Sequence, residues 1–589
     1  MFNLLKEVAY KITSIVRNKF QDVPENVLDN LVVEFPENDN HGDLTNNIGM
    51  ILSKILKKPP RLIAEEISDE MKNSDPDIET IDIAGPGFMN TIFGDKFWIK
   101  TLNSILNDDS NYGLSNIGYK SGSEKQKVNL EFCSANPTGP LHLGHIRGAV
   151  WGDAISKILG FAGYDVEKEY YINDLGGQIE KLIETAYLRY KELYGEKFEL
   201  RDGYYPGEYL IQTAREIQKQ FGDSLLGKSS DELKDILHKP VIESMILIIK
   251  DDLKKLNIEF DNWVYESDIA DCKLMNESFS ILKSKDLIYE GILEKPKGNS
   301  GGDEDYSTDK PQAVFASTKF GDESDRALKR SDGEWAYFAK DVTYHFDKIK
   351  RGYDWLILEV GIDHNGYKKR MMAAVNALSD GKQRFSFEFH NMVYIYEDGI
   401  QQKMSKRSGK AIGAQEIIDM MGLDVLKFYI FSKRHDVELD FDIKTAKESS
   451  KNNPYFYIQY AHARSCSILR SAEEKIKNLC LQESEFYDIM VNRNEKKLIK
   501  KLALWPSCVE ATVKSLEPHK INFYLQDLAT EFHSLWNLGS NDKSLRFINE
   551  CKDEKEILMT KYRINLVKAT KQTIGIGLRL LGVKPLDEM

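Results

Sequence analysis

A short apolar segment, Val128–Cys133, runs into a loop punctuated by Asn136-Pro137-Thr138-Gly139-Pro140, and a helix-forming run from about Leu143 to Gly160 follows. A second strand-like segment, Tyr164–Ile172, comes next. This strand–loop–helix–strand order constrains the chain more than any other feature. Two strands joined by a helical crossover pair in parallel and begin a doubly wound α/β domain. The prolines disfavour helix over 136–140, so the helix opens near Leu141–Leu143. His142 and His145 are three apart and share one face of its first turn. Gly144 leaves room for a ligand to approach the backbone. A helix N-terminus attracts phosphate through its unpaired N–H groups and its dipole. Two imidazoles there add donors that strengthen as charge grows on phosphate oxygens. A His-x-x-His pair also suits a plain surface pair or part of a zinc site. Zinc would need a third ligand, and the Glu of His-Glu-x-x-His is absent. Arg147 is read either as a further phosphate contact or as a structural ion pair.

Far downstream, Met392–Tyr396 reads as a strand ending in the turn Glu397-Asp398-Gly399. Directly after it, Lys403-Met404-Ser405-Lys406-Arg407-Ser408-Gly409-Lys410 packs four cations into eight residues. Flexible ammonium groups suit a triphosphate whose departing pyrophosphate must be stabilised. A basic loop is often only solvated. No Gly-rich stretch leads to a Lys-Ser/Thr pair opening a helix, which disfavours P-loop kinase chemistry. Together the two segments describe a site that holds ATP and supports attack at its α-phosphate.

The chain has 589 residues, too many for one core. Residues 1 to about 118 read as an α+β unit, with helical patterns over 2–20, 44–57 and 59–73. Strands Ile78–Ala84 and Phe88–Phe93 flank Gly85-Pro86-Gly87 there. Ser110 to Glu124 is rich in Ser, Gly and Asn and reads as a linker. Residues 178–290 are mostly helical by periodicity, Pro296–Pro311 is a polar loop, and Trp355–Val360 returns as a strand. From about Asn453 the pattern is helical to the end. Three domains are expected: 1–118; 119–452, with a helical insertion at about 180–330; and 453–589. No apolar run approaches a membrane span. Six cysteines without a Cys-x-x-Cys pair fit a reducing, cytoplasmic compartment. His462-x-x-x-Cys466 is the nearest metal spacing, and nothing nearby in sequence completes it, so no structural metal is expected. The net charge of −13 excludes a general nucleic-acid coat. Residues 455–589, however, hold 21 Lys+Arg against 17 Asp+Glu, a local +4. Arg493, Lys496, Lys497, Lys500 and Lys501, then Lys561, Arg563, Lys568 and Lys571, supply it. These read as solvated helix faces or as a local basic surface for RNA.

His142-Leu143-Gly144-His145 and Lys403-Met404-Ser405-Lys406 resemble the paired signatures of class I aminoacyl-tRNA synthetases. The surrounding sequence resembles the bacterial-type arginyl-tRNA synthetases over nearly the whole chain. The likeness runs through Val33–Pro36, His41–Asp43 and Ile83–Phe88 at the N-terminus, and through Glu131–Asn136. It continues in Tyr170–Asp174, Trp335–Asp341, Gly361–His364 and Asn453–Arg464. Arg407 departs from the Ser of many class I enzymes, and Ala135 from the Pro of some relatives; neither removes a group that the chemistry needs. The resemblance implies a Rossmann-like catalytic domain, a small N-terminal tRNA-binding domain and a helical anticodon-binding domain. It implies His142, His145, Lys403 and Lys406 as catalytic residues. For ATP it implies Ala135, Asn136, Pro137, Thr138, Gly139, Pro140, Leu141, Leu143, Gly144, His364, Met404 and Ser405 as well as both histidines. For arginine it implies Glu131, Asn136, Tyr337, Asp341 and Gln178, whose acceptors suit a guanidinium. The implied partners are ATP with Mg²⁺, L-arginine and tRNA(Arg), with monomer as the default state. Tyr455, Tyr457, Tyr460 and Trp505 are available to stack unpaired anticodon bases. The competing readings are a class I synthetase for another amino acid, a non-catalytic RNA-binding relative, and a small nucleotidyltransferase.

Overall fold

In the computed structural model, a parallel sheet realises the opening strand–loop–helix–strand order. The structure describes residues 2–20, 23–120, 123–199, 201, 203–293, 310–401, 413–476, 479 and 481–589. Two compact units emerge: residues 116–448 with 517–519, and residues 1–115 with 449–516 and 520–589.

In the first unit five strands lie in the order Arg384–His390, Trp355–Gly361, Lys127–Glu131, Asp165–Ile172, Asn262–Tyr265. Every pairing is parallel. The winding reverses between Lys127–Glu131 and Trp355–Gly361, so the crevice beyond their carboxyl ends is the expected ligand site. Both strands are buried on both faces: Val128, Leu130, Trp355, Leu356 and Ile357 are all core. That explains why apolar residues stand at successive positions over 355–358 rather than alternating. The helix Leu143–Phe161 packs on this sheet at close range. A Cβ on its Gly152 would lie 2.0 Å from the Phe132 ring, so only glycine admits this approach.

The insertion is helical through Gly177–Glu192, Tyr209–Phe221 and Ser230–Lys255. Beyond that, short strands join the helices Glu266–Ile269 and Cys272–Ser284 in the insertion expected at about 180–330. Asn262–Tyr265 joins the main sheet, and Ile288–Gly291, Gln312–Phe315 and Arg326–Lys329 form a separate antiparallel sheet. These strands are four residues each, and Gln312–Phe315 is buried at every position, so no alternation marks them in sequence. A third small sheet pairs Val393–Glu397 antiparallel with Ile400–Gln401 and parallel with Leu439–Asp442.

The second unit holds an antiparallel sheet in the order Val33–Glu34, Leu44–Asn46, Phe88–Phe93, Ile78–Ala84. The expected helix over 44–57 divides. Leu44–Asn46 is a strand paired with Met89–Thr91, and the helix starts at Ile48. The same unit contains the helices Pro454–Lys475, Arg493–Ala503, Trp505–Ser515 and Glu554–Leu580. Buried Tyr112 ties its N-terminal and C-terminal parts. Its hydroxyl donates to the Leu502 carbonyl (2.7 Å), and the Trp505 indole donates to the Tyr112 carbonyl (2.9 Å). Trp505 is therefore core; Tyr455 is buried as well, while Tyr460 is exposed. Much of the basic tail is internally paired. Arg563 meets Glu495 at 2.6 Å, Lys500 meets Asp43 at 2.9 Å, Lys501 meets Asp527 at 2.7 Å, and Lys561 meets Glu485 at 3.0 Å.

Candidate active site at the switch point

His142 is the N-cap of the helix Leu143–Phe161, and His145 is its third residue. The His145 amide faces His142 Nδ1 at 3.5 Å, and the His142 amide faces His145 Nδ1 at 3.4 Å. The two rings stack with centroids 3.6 Å apart. This is a reciprocal capping box made of imidazoles. Because each Nδ1 accepts from an amide, a neutral ring carries its proton on Nε2, the outer nitrogen. The sequence motif thus becomes a pair of aligned N–H donors at a helix N-terminus.

The loop leading to these histidines is fixed from several sides. Tyr209 Oη donates to the Thr138 carbonyl (2.7 Å), Tyr170 Oη to the Ala135 carbonyl (2.9 Å), and the Leu141 amide to Asp252 Oδ2 (2.9 Å). Ala135, Thr138, Leu141 and Leu143 have buried side chains, as does Pro137, and Gly139 is buried too. These residues thus shape the loop and leave backbone groups as their means of contact. Cys133 and Ser134, within the Glu131–Asn136 stretch but not among the expected site residues, sit at φ 67° and 30°. Such left-handed residues cost about 1–3 kcal/mol each and gather at functional sites. Among the contacts that hold them, the Cys133 amide donates to Glu359 Oε2 (3.2 Å), Ser134 Oγ to Glu131 Oε1 (3.3 Å), and the Tyr171 amide to Ser134 Oγ (3.1 Å).

Lys403, Met404, Ser405 and Lys406 lie outside the described residues. The described flanks reach the site nonetheless. The Val393–Gln401 hairpin precedes them, and Gly413, just beyond, forms an antiparallel bridge with His142.

The expected arginine residues divide into two groups. Asp341, in the second turn of the helix Tyr337–Lys350, is half-buried. Burial first, then the charges of Glu266 and Glu131, push its carboxyl up to about 7 against the opposing pull of Arg370 and Lys340. Burial and the neighbouring carboxylates thus disfavour its charged form. Asn136 Nδ2 donates to Gln178 Oε1 (3.1 Å), so these two expected residues meet. Tyr337 is exposed at the start of its helix, with Lys340 Nζ 5.6 Å from its ring centre. Glu131 is buried, and Lys348 Nζ lies 2.5 Å from its Oε2. Lys348, itself buried, also approaches Glu169 (3.6 Å), and Arg351 meets Glu169 at 2.5 Å. Glu131 is thus one member of an internal ion network. Glu266, unmarked in the sequence, is the carboxylate that joins Asp341; Lys340 pairs with its Oε1 at 2.7 Å. The sequence signal that could have found it is slight, because it sits in a four-residue helix after the edge strand. His364 lies in the turn after Trp355–Gly361, with Nε2 3.6 Å from Asp363.

Among the described residues two groups of possible metal ligands come together: Glu359, His390 and His435; and His462, Cys466 and Asp587. In the first, Glu359 Oε1 lies 2.5 Å from His390 Nδ1 and 2.9 Å from His435 Nε2. Burial alone would raise the Glu359 carboxyl, but the two histidines hold it well below the usual carboxylate range. One shared oxygen makes this a hydrogen-bonded triad. In the second, Asp587 completes what the sequence left open: Cys466 Sγ lies 3.3 Å from Asp587 Oδ1 and 3.8 Å from His462 Nδ1. That Nδ1 faces the Leu586 carbonyl at 2.8 Å and therefore carries the ring proton, which opposes ligation there.

Three family descriptions match the chain. They are the arginyl-tRNA synthetase N-terminal domain over residues 10–93, the class I (R) tRNA synthetase catalytic domain over 102–427, and the DALR anticodon-binding domain over 458–589. The arginine–tRNA ligase of Anaplasma marginale is 41% identical over 568 residues, 96% of this chain and 95% of that one. The arginine–tRNA ligase of Wolbachia pipientis wMel is 41% identical over 588 residues and all of both chains. The solved arginyl-tRNA synthetase of Thermus thermophilus shares the fold at a TM-score of 0.72 and 21% identity, over the full length of both. With a parallel sheet, a histidine-capped helix at its switch point and these full-length likenesses, the chain belongs to the arginyl-tRNA synthetase family of class I aminoacyl-tRNA synthetases.

Proposed function

We propose that this protein joins L-arginine to tRNA(Arg) through an arginyl adenylate, with release of pyrophosphate and then AMP. The observation that carries the reading is Asp341, a carboxylate pushed to near-neutral titration by burial and by Glu266, in the same unit as the histidine-capped helix. A neutral side chain has no use for such a group; a guanidinium restores its charge and replaces its lost hydration.

ATP binds across the loop 135–141 and the helix N-terminus, and Mg²⁺ travels with its phosphates as their counter-charge. The arginine carboxylate attacks the α-phosphorus in line. The Nε2–H groups of His142 and His145 donate to the phosphate oxygens as their charge grows, and Lys403 and Lys406 receive the departing pyrophosphate. Asp341, with Tyr337 at the mouth and the Asn136–Gln178 pair, orients the amino acid; Glu131 acts through Lys348 and Ser134 rather than as an open acceptor. His364 serves the ATP side. The 2′-hydroxyl of the terminal ribose then takes the arginyl group, and AMP leaves. Most of the rate comes from positioning and electrostatics.

The domains 1–118, 119–452 and 453–589 divide the work into tRNA elbow contact, chemistry and anticodon reading. For the last, Tyr460 is exposed beside Phe456, Tyr457, Arg464 and His533 around a cavity of about 390 Å³, a size and lining suited to an unpaired base. The enzyme works as a cytoplasmic monomer. Aminoacylation of tRNA(Arg) transcript with a panel of labelled amino acids tests the reading. Arginine alone should be charged, and charging of another amino acid in its place would overturn it.

A further inference from the structure

Arg147, two residues after His145 on the same helix, is completely buried. A buried guanidinium ordinarily meets a carboxylate, but Arg147 forms no ion pair among the described residues. Its two terminal nitrogens donate to four main-chain carbonyls: Nη1 to Asn391 (2.8 Å) and Met392 (3.2 Å), Nη2 to Arg434 (2.9 Å) and Val437 (2.7 Å). Asn391 and Met392 are the two residues before the strand Val393–Glu397, and Arg434 and Val437 stand just before Leu439–Asp442. These two strands pair in parallel, in the register Val393–Leu439. The same pair of segments is joined at their start by the Asn391 amide to the His435 carbonyl (3.0 Å) and by Asn391 Nδ2 to the Asp436 carbonyl (3.1 Å).

The arrangement runs from one motif toward the other. Arg147 is fixed in register with His142 and His145 by one turn of helix. Its fork grips the base of the hairpin Val393–Gln401, whose end leads in sequence into Lys403. On the far side of the lysine run, Gly413 bridges to His142. We propose that Arg147 is a positioning residue for the activation step: it sets the hairpin that leads in sequence into Lys403 relative to the histidine pair, so that reacting phosphate and leaving pyrophosphate are held in one frame. A guanidinium is required because four carbonyls in two segments need a planar fork; an ammonium has three donors at one point and cannot span them. This rests on the division of labour under the proposed function.

The step that makes pyrophosphate can be separated from the step that does not. ATP–pyrophosphate exchange, with arginine and tRNA present, reads the first. AMP-dependent deacylation of arginyl-tRNA, which returns the arginyl group to AMP and frees the 2′-hydroxyl, reads the second. Arg147→Lys should lower kcat of exchange by about 100-fold, the cost of a misplacement near 1 Å. It should raise KM for pyrophosphate, leave KM for arginine within about 3-fold, and leave AMP-dependent deacylation within about 3-fold. Asn391→Ala, a milder cut in the same tie on an outer residue, should show the same split at about 3- to 10-fold, and it serves if Arg147→Lys does not fold. An equal fall in both reactions, or no fall in either, overturns the proposal. Absence of exchange in the unaltered protein would instead strike the functional reading itself.

Discussion

At the scale of single residues, the histidine pair and Asp341 carry the argument, and both make checkable demands. His145→Ala removes an Nε2 donor and half of the capping box. We predict a loss of about 10²–10³ in the rate of adenylate formation, by the measure of a lost transition-state donor, with a fold that stays intact after losing about 0.5–2 kcal/mol of cap. Single-turnover adenylate formation and a denaturant melt read the two effects separately. Asp341 predicts a pH dependence. Its carboxyl titrates at about 7 in the ligand-free protein, and the charged form binds a guanidinium, so KM for arginine should fall as pH rises through 7 and level off above it. Asp341→Asn should remove that limb and raise KM for arginine by at least about 30-fold, the scale of a lost buried charge partner, while KM for ATP moves far less. The sign for stability is opposite. A carboxyl raised in the folded state favours folding at low pH, and that contribution is lost as pH rises from about 4 to about 7. Asp341→Asn should therefore melt at higher temperature than the unaltered protein at pH 8 when arginine is absent. Asp341 was legible in sequence through its resemblance to a motif. Glu266 and Glu359 were not, because isolated carboxylates in short or buried segments carry no spacing; only the fold brings them to Asp341 and Cys133.

At the scale of elements, the helix Leu143–Phe161 and the loop before it were legible, because Pro137 and Pro140 fix where the helix cannot be and the histidines mark where it starts. The loop's fastening was not. Tyr209 and Asp252 reach it from insertion helices about 70 and 110 positions away in the chain. Tyr209→Phe should raise KM for ATP several-fold at a stability cost of about 1 kcal/mol, the worth of one hydrogen bond. An unchanged KM, measured by exchange at saturating arginine, would show that the loop keeps its shape without that tie. The strands that the sequence pattern left unmarked, Leu44–Asn46 and the four of the insertion between 262 and 329, share a cause. They are three or four residues long and draw their pairing from partners distant in sequence, which a periodicity over one segment cannot register.

At the scale of the whole molecule, residues 1–115 and the C-terminal helices fold as one unit, locked by Tyr112 and Trp505. The sequence divides them because more than 300 residues lie between. Trp505→Ala should cost about 3–5 kcal/mol, as for a fully buried aromatic, and loosen both parts together, read as a common loss of protection in hydrogen exchange. Tyr460→Ala, on the surface of the same unit, should leave arginine-dependent exchange at saturating tRNA unchanged and raise KM for tRNA(Arg) by about 5- to 100-fold, the worth of one stacked base. The central claim is that the crevice at the switch point activates arginine. Its most direct test is ATP–pyrophosphate exchange with tRNA(Arg) present and each amino acid supplied in turn. Exchange that appears with arginine and disappears when lysine, citrulline or no amino acid replaces it is the predicted result. Exchange indifferent to the amino acid, or absent with arginine, would contradict the account.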